Sequence, residues 1–130
     1  MTAVLNNVSL ELTQGDDYLL IDQRNIYFLG KGVVWPANLA GVRLVVSDHT
    51  DACGLAYNGL APIAILDIDG TYSSVTTSQA ATASFDISRV NTLKLSAGVR
   101  KYKFEIRGLL PSASIATLAR GFVTVLESQL

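Results

Sequence analysis

Tyr102, Phe104 and Ile106 alternate with Lys101, Lys103, Glu105 and Arg107. Successive side chains of a β-strand point to opposite faces, so this period of two describes a strand with one dry and one wet side. The same pattern recurs in Ala81, Ala83, Phe85 and Ile87 against Thr82, Ser84 and Asp86, and in Val8, Leu10 and Leu12 against Ser9 and Glu11. No stretch carries sustained helical spacing, and strands are the default reading throughout. Further strands are expected at Tyr18 to Ile21, Ile26 to Leu29, Val42 to Ser47, Ile63 to Asp67, Ile115 to Ala119 and Phe122 to Leu126. Ser88 to Gly98 has room for one helical turn.

Turn chemistry divides these runs. The cluster Thr13-Gln14-Gly15-Asp16-Asp17 follows the first strand, with the paired aspartates as turn caps. Gly30-Lys31-Gly32 is expected to join Ile26 to Leu29 and Val33 to Trp35 as a hairpin, and Pro36 then opens a loop. Asn58-Gly59 is a two-residue hairpin signal, and Asp69-Gly70 reads as a turn. Gly41 and Gly121 are expected at a tight turn or bulge. Eight or nine short strands at intervals of about ten residues predict an all-β sandwich. It is expected to be one domain over residues 1–130, with 1–7 as an N-terminal arm.

With 130 residues, 49% of them apolar, the chain can hide a core without disulfides or metals, and disorder is excluded as its global state. Charged residues are only 16%, against a usual share of about a quarter, which predicts that other protein covers part of the surface. The net charge of −1 lacks the cationic excess that nucleic-acid binding draws on, so no nucleic acid is expected. No apolar run is long enough for a bilayer, and the start Met1-Thr2-Ala3-Val4-Leu5 has no basic leader. No membrane partner and no secretion are expected. Charge is divided along the chain, with three bases against eight acids over residues 1–85 and seven against three over residues 86–130. That division could orient copies head to tail, or simply mark a solvated face.

Residues that carry chemistry are few. His49 and the single Cys53 are four apart, but structural zinc needs four ligands and catalytic zinc three. Asp67 and Asp69 share one side of a strand, yet Gly70 comes too early for a calcium loop and Ser78 stands where its glutamate belongs. No nucleophile elbow, zinc-helix motif or phosphate loop occurs, so no enzyme and no cofactor are expected. Trp35, Tyr57 and Tyr72 fall near turns, either as a platform for sugar or a partner or as core aromatics at strand ends.

The order of these motifs resembles a family. Gln14-Gly15-Asp16, then Pro36-Ala37-Asn38-Leu39-Ala40-Gly41-Val42, is similar to the opening of the N-terminal domain of tailed-phage baseplate upper proteins. Leu95-Ser96-Ala97-Gly98, Tyr102 to Ile106 and Thr117 to Val125 resemble its closing segment, and the correspondence spans residues 8 to 126. Asp17 departs from the usual threonine, and the stretch from 48 to 80 is longer and rich in small residues. The resemblance implies an immunoglobulin-like β-sandwich built into a virion as a tail, baseplate or fibre-attachment adaptor, with no catalytic residues. A head-decoration protein and a carbohydrate-binding sandwich are the alternatives. The expected partners are other virion proteins and copies of the chain, a trimer being favoured, in a particle assembled in a bacterial cytoplasm. Trp35, Arg100, Lys101, Lys103 and Arg107 are the candidate interface.

Overall fold

The computed structural model describes residues 4–48, 64–97 and 101–127. Its strands are β1 (Leu5–Thr13), β2 (Ile26–Leu29), β3 (Gly41–Asp48), β4 (Ala64–Ser73), β5 (Thr82–Phe85), β6 (Lys101–Leu109) and β7 (Ile115–Leu126). One helical turn, α1 (Arg89–Thr92), lies between β5 and β6. The strand order is β1-β7-β6-β3-β4-β5-β2, and the all-β expectation holds.

The curl of this sheet comes from β4. Its first part pairs with β3 from Ser47 opposite Ala64 to Val42 opposite Gly70. Beyond Gly70 it leaves β3 and pairs with β5, with Thr71 opposite Ser84 and Ser73 opposite Thr82. Two layers result: β1, β7, β6, β3 and the start of β4 form the large one, and the end of β4 with β5 and β2 the small one. These are the groupings of an immunoglobulin-like sandwich, except that β1 lies parallel on β7. Gly70 sits at the crossing because an added Cβ would be 2.4 Å from the Phe85 ring. Asp69-Gly70 is therefore not a turn; β4 runs through it.

The inward residues of both layers meet in one core. Tyr102, Phe104 and Ile106 of β6 are buried, as are Ala83 and Phe85 of β5 with Ala81 and Ile87 on either side of it, as their alternation predicts. Phe28 of β2 bridges the layers, its ring 5.5 Å from Phe104 and 6.3 Å from Phe85. Full burial of each such side chain contributes about 1.5 to 3 kcal/mol.

Several other expectations change. Leu5 to Asn7 belong to β1, so the proposed arm is largely strand. Tyr18 to Ile21 is not a strand: Tyr18 makes a single bridge to Ile87, and Leu20–Asp22 is a 3-10 turn. The run does not alternate, so it has no face to bury, and Ile21 is 86% exposed. β2 takes β5 as its partner and not Val33 to Trp35. Ile115 to Leu126 is one strand without a break at Gly121. The irregularity falls on β1 between Leu5 and Val8, where the Val8 carbonyl approaches Gly121 so closely that an added Cβ would lie 1.8 Å away. Neither Gly41 nor Gly121 has positive φ. Asn58-Gly59, Ile63, His49, Cys53 and Tyr57 lie outside the described residues.

Candidate interaction surfaces

Trp35 is withdrawn from the candidate interface, because it is 5% exposed. Pro36 keeps it extended, and the indole swings inward over Gly30, where a Cβ would come within 2.9 Å of the ring. Its Nε1–H donates to the Leu118 carbonyl of β7 at 2.9 Å, which satisfies the one polar atom the ring brings into the core. Tyr72 of β4 leans on the same ring, 6.4 Å between centroids, and its hydroxyl donates to the Pro36 carbonyl at 2.7 Å. Burial raises the Tyr72 pKa. Of the three aromatics offered as a sugar platform, two are thus engaged in the protein and Tyr57 is outside the described residues.

Arg107 and Lys103 lie on the outer face of the large layer. The register sets Arg107 opposite Arg43 of β3, and Arg43 in turn opposite Asp69 of β4. Like charges directly across a strand pair repel, and each is answered by a carboxylate. Arg107 Nε donates to Glu105 at 3.1 Å; Arg43 donates to Asp67 at 2.7 Å and reaches Asp69 at 3.4 Å. The Asp67 hydrogen bond, with the charges of both aspartates, raises the Arg43 pKa. Asp67 and Asp69 do share a side of β4, as expected, but that side serves an arginine. Lys103 is half-buried in a row with Ser47, Phe122 and Ser9. Arg43 and Arg107 are each paired with an acid, so acids and bases intermingle on this face and the lengthwise division of charge does not become two poles here. Arg100 lies outside the described residues, and Lys101 is placed in β6 by its backbone alone.

The outer face of the small layer differs. Tyr27 and Leu29 of β2 point outward at 60% and 40% exposure, while Phe28 between them points in. They line an open groove of about 490 Å³ with Asn25, Thr82, Ser84 and Gln79, where Lys31 is the only charge among the described residues. A second hollow shares Asn25 and Ser84 and reaches Leu20. Sequence reading missed Tyr27 and Leu29, although a signal was present: four consecutive apolar residues cannot all face inward on a strand.

The turn after β1 anchors α1. Thr92, fully buried, accepts from the Gly15 N–H and donates to the Asp16 carbonyl, both at 3.0 Å. Asp17 accepts from the Arg89 N–H, and Ser88 caps the helix through Asn91. The paired aspartates do not cap their own turn as expected: Asp17 caps α1 across the fold, and the Asp16 carboxylate accepts from Arg24 at 3.3 Å.

Among the described residues, no helix is long and apolar enough to cross a membrane, and no three His, Cys, Asp or Glu side chains could hold a metal. Compared with protein-family models, curated proteins and solved structures, the chain finds no match.

Proposed function

We propose that the chain is a non-enzymatic structural module of a tailed-phage particle, acting through protein–protein contacts as a tail, baseplate or fibre-attachment adaptor. The observation that carries this reading is the placement of large apolar side chains at solvent-facing positions on and beside the sheet. Leu20, Ile21, Tyr27 and Leu29 are exposed near β2, and Leu109 and Ile115 face each other at the β6–β7 hairpin with 40% and 59% exposure. Contact with another protein removes such area from water at about 25 cal/mol per Å². The resemblance of the motif order to baseplate domains and the low share of charge support the same reading. Other virion proteins and copies of the chain are the partners; the balanced face of the large layer removes one reason for preferring three copies.

The experiment is a cryo-EM map of particles purified from a host producing the chain, with mass spectrometry of their protein content. Density for the sandwich at the tail or fibre base is the expected result. Density on the head would replace the adaptor with a decoration protein, and absence of the chain from the particles would overturn a virion role.

A further inference from the structure

The ladder between β2 and β5 decides which way the β2 backbone faces. The Gly30 N–H donates to the Ala81 carbonyl at 2.8 Å. Upstream of that pair, Leu29 is opposite Thr82, Phe28 opposite Ala83, Tyr27 opposite Ser84 and Ile26 opposite Phe85. Hydrogen-bonded and non-hydrogen-bonded pairs alternate along an antiparallel ladder. Gly30, Phe28 and Ile26 therefore address β5, and the N–H and C=O groups of Tyr27 and Leu29 point to the open side. β2 is the last strand in the order, and no hydrogen bond to these four groups is present among the described residues.

The two ends of the strand order are guarded differently. β1 carries a register shift between Leu5 and Val8 and a charge at Glu11, devices that discourage another strand from adding. β2, with the sequence Ile-Tyr-Phe-Leu, has neither charge, proline nor bulge.

We propose that β2 is a contact between two copies of this chain, paired edge to edge and antiparallel about a two-fold axis at Phe28. The inference rests on the fold alone and not on the phage reading. This is the register in which both free residues of each copy are used. Tyr27 of one copy lies opposite Leu29 of the other, and the two pairs exchange four backbone hydrogen bonds. On the outer face each phenol ring meets a leucine side chain. The next residues out, Asn25 and Lys31, oppose each other, so no like charges meet. A four-residue ladder falls short of the roughly 1,000 Å² that a stable specific interface buries. The contact is therefore weak between free copies and strong where an assembly holds copies close together.

Residue-resolved amide hydrogen exchange, alongside sedimentation, tests this at protein concentrations of about 20 μM and about 1 mM. The Phe28 amide, paired with β5, should be protected at both. The Tyr27 and Leu29 amides should exchange almost freely at the lower concentration and slow by about threefold at the higher, as mass shifts toward the dimer. Leu29→Pro removes an outward N–H without touching the β5 ladder, and should abolish both changes while Phe28 stays protected. If that variant does not fold, Tyr27→Lys, at an exposed position, should have the same effect. A monomer at both concentrations overturns the proposal, whether the two amides are free or are covered by another part of the same chain. A dimer in which their exchange does not change overturns it as well, since the contact then lies elsewhere.

Discussion

The Tyr102 phenol oxygen accepts a hydrogen bond from the Ser96 backbone N–H at 2.7 Å, tying the start of β6 to the segment that follows α1. The residue is 2% exposed, so the oxygen has little access to water. This is the tyrosine corner of immunoglobulin-like sandwiches, in which a tyrosine early in the sixth strand bonds back to the preceding connection. Tyr102→Phe keeps the ring and leaves the Ser96 N–H without this acceptor, so it should cost about 1 to 3 kcal/mol in chemical denaturation. Unchanged stability would mean that water replaces the bond freely.

Gly121 and Gly41 should respond in opposite ways to alanine. A Cβ on Gly121 would collide with the Val8 backbone, so Gly121→Ala must push β1 away from β7 and should cost at least about 2 kcal/mol. Nothing lies within 4 Å of the Cβ position at Gly41, which is in extended backbone of β3. Gly41→Ala should therefore be neutral or stabilising by up to about 1 kcal/mol, because alanine loses less entropy on folding. Thermal melts of both variants check this, and comparable losses would refute the assignment of the contact to Gly121.

The contrast between these glycines marks what was legible in the sequence. Strict alternation was enough to assign the inside and outside of β5 and β6, since one face of each had to be dry. A glycine, by contrast, announces only that a side chain is missing. Whether the reason is a turn, as expected for Gly70, or the approach of Phe85 depends on a partner 15 residues away. Tyr18 to Ile21 failed for a related reason, because an apolar run without a period has no face to assign. At the candidate surface, Lys103 and Arg107 were legible as outward residues of an alternating strand. Trp35 was legible as either a core aromatic, which its burial bears out, or an interface residue, because its direction is decided by the Leu118 carbonyl that it reaches across the core.

Phe104→Ala should cost about 3 to 5 kcal/mol, because the deleted ring leaves a cavity between the layers that Phe28 cannot fill without leaving Phe85. Arg107→Ala, three residues along on the wet face, should change stability by less than about 1 kcal/mol, its ion pair with Glu105 being exposed. The pair of variants measured by urea denaturation tests the register of β6 directly. A large loss in the arginine variant with none in the phenylalanine variant would mean that the two faces are reversed.

Tyr72 gives the fold a dependence on alkaline pH whose sign follows from its surroundings. Burial disfavours the phenolate, so the folded-state pKa lies above the ordinary value of 10.0. Between the unfolded and folded pKa values the native state holds more protons than the unfolded one, and stability therefore falls as pH rises. The contribution is fully present below about pH 10 and is lost as pH climbs through the folded pKa. Ionisation also removes the proton that the hydroxyl donates to the Pro36 carbonyl, which loosens the segment carrying Trp35. Denaturation followed by Trp35 fluorescence from pH 8 to 11 should show a decline beginning near pH 10 in the parent protein. In Tyr72→Phe, stability at pH 8 should be lower because the hydrogen bond is missing, and the decline should be shallower because one titrating group is gone. Equal slopes in the two proteins would place the alkaline transition at another tyrosine or lysine.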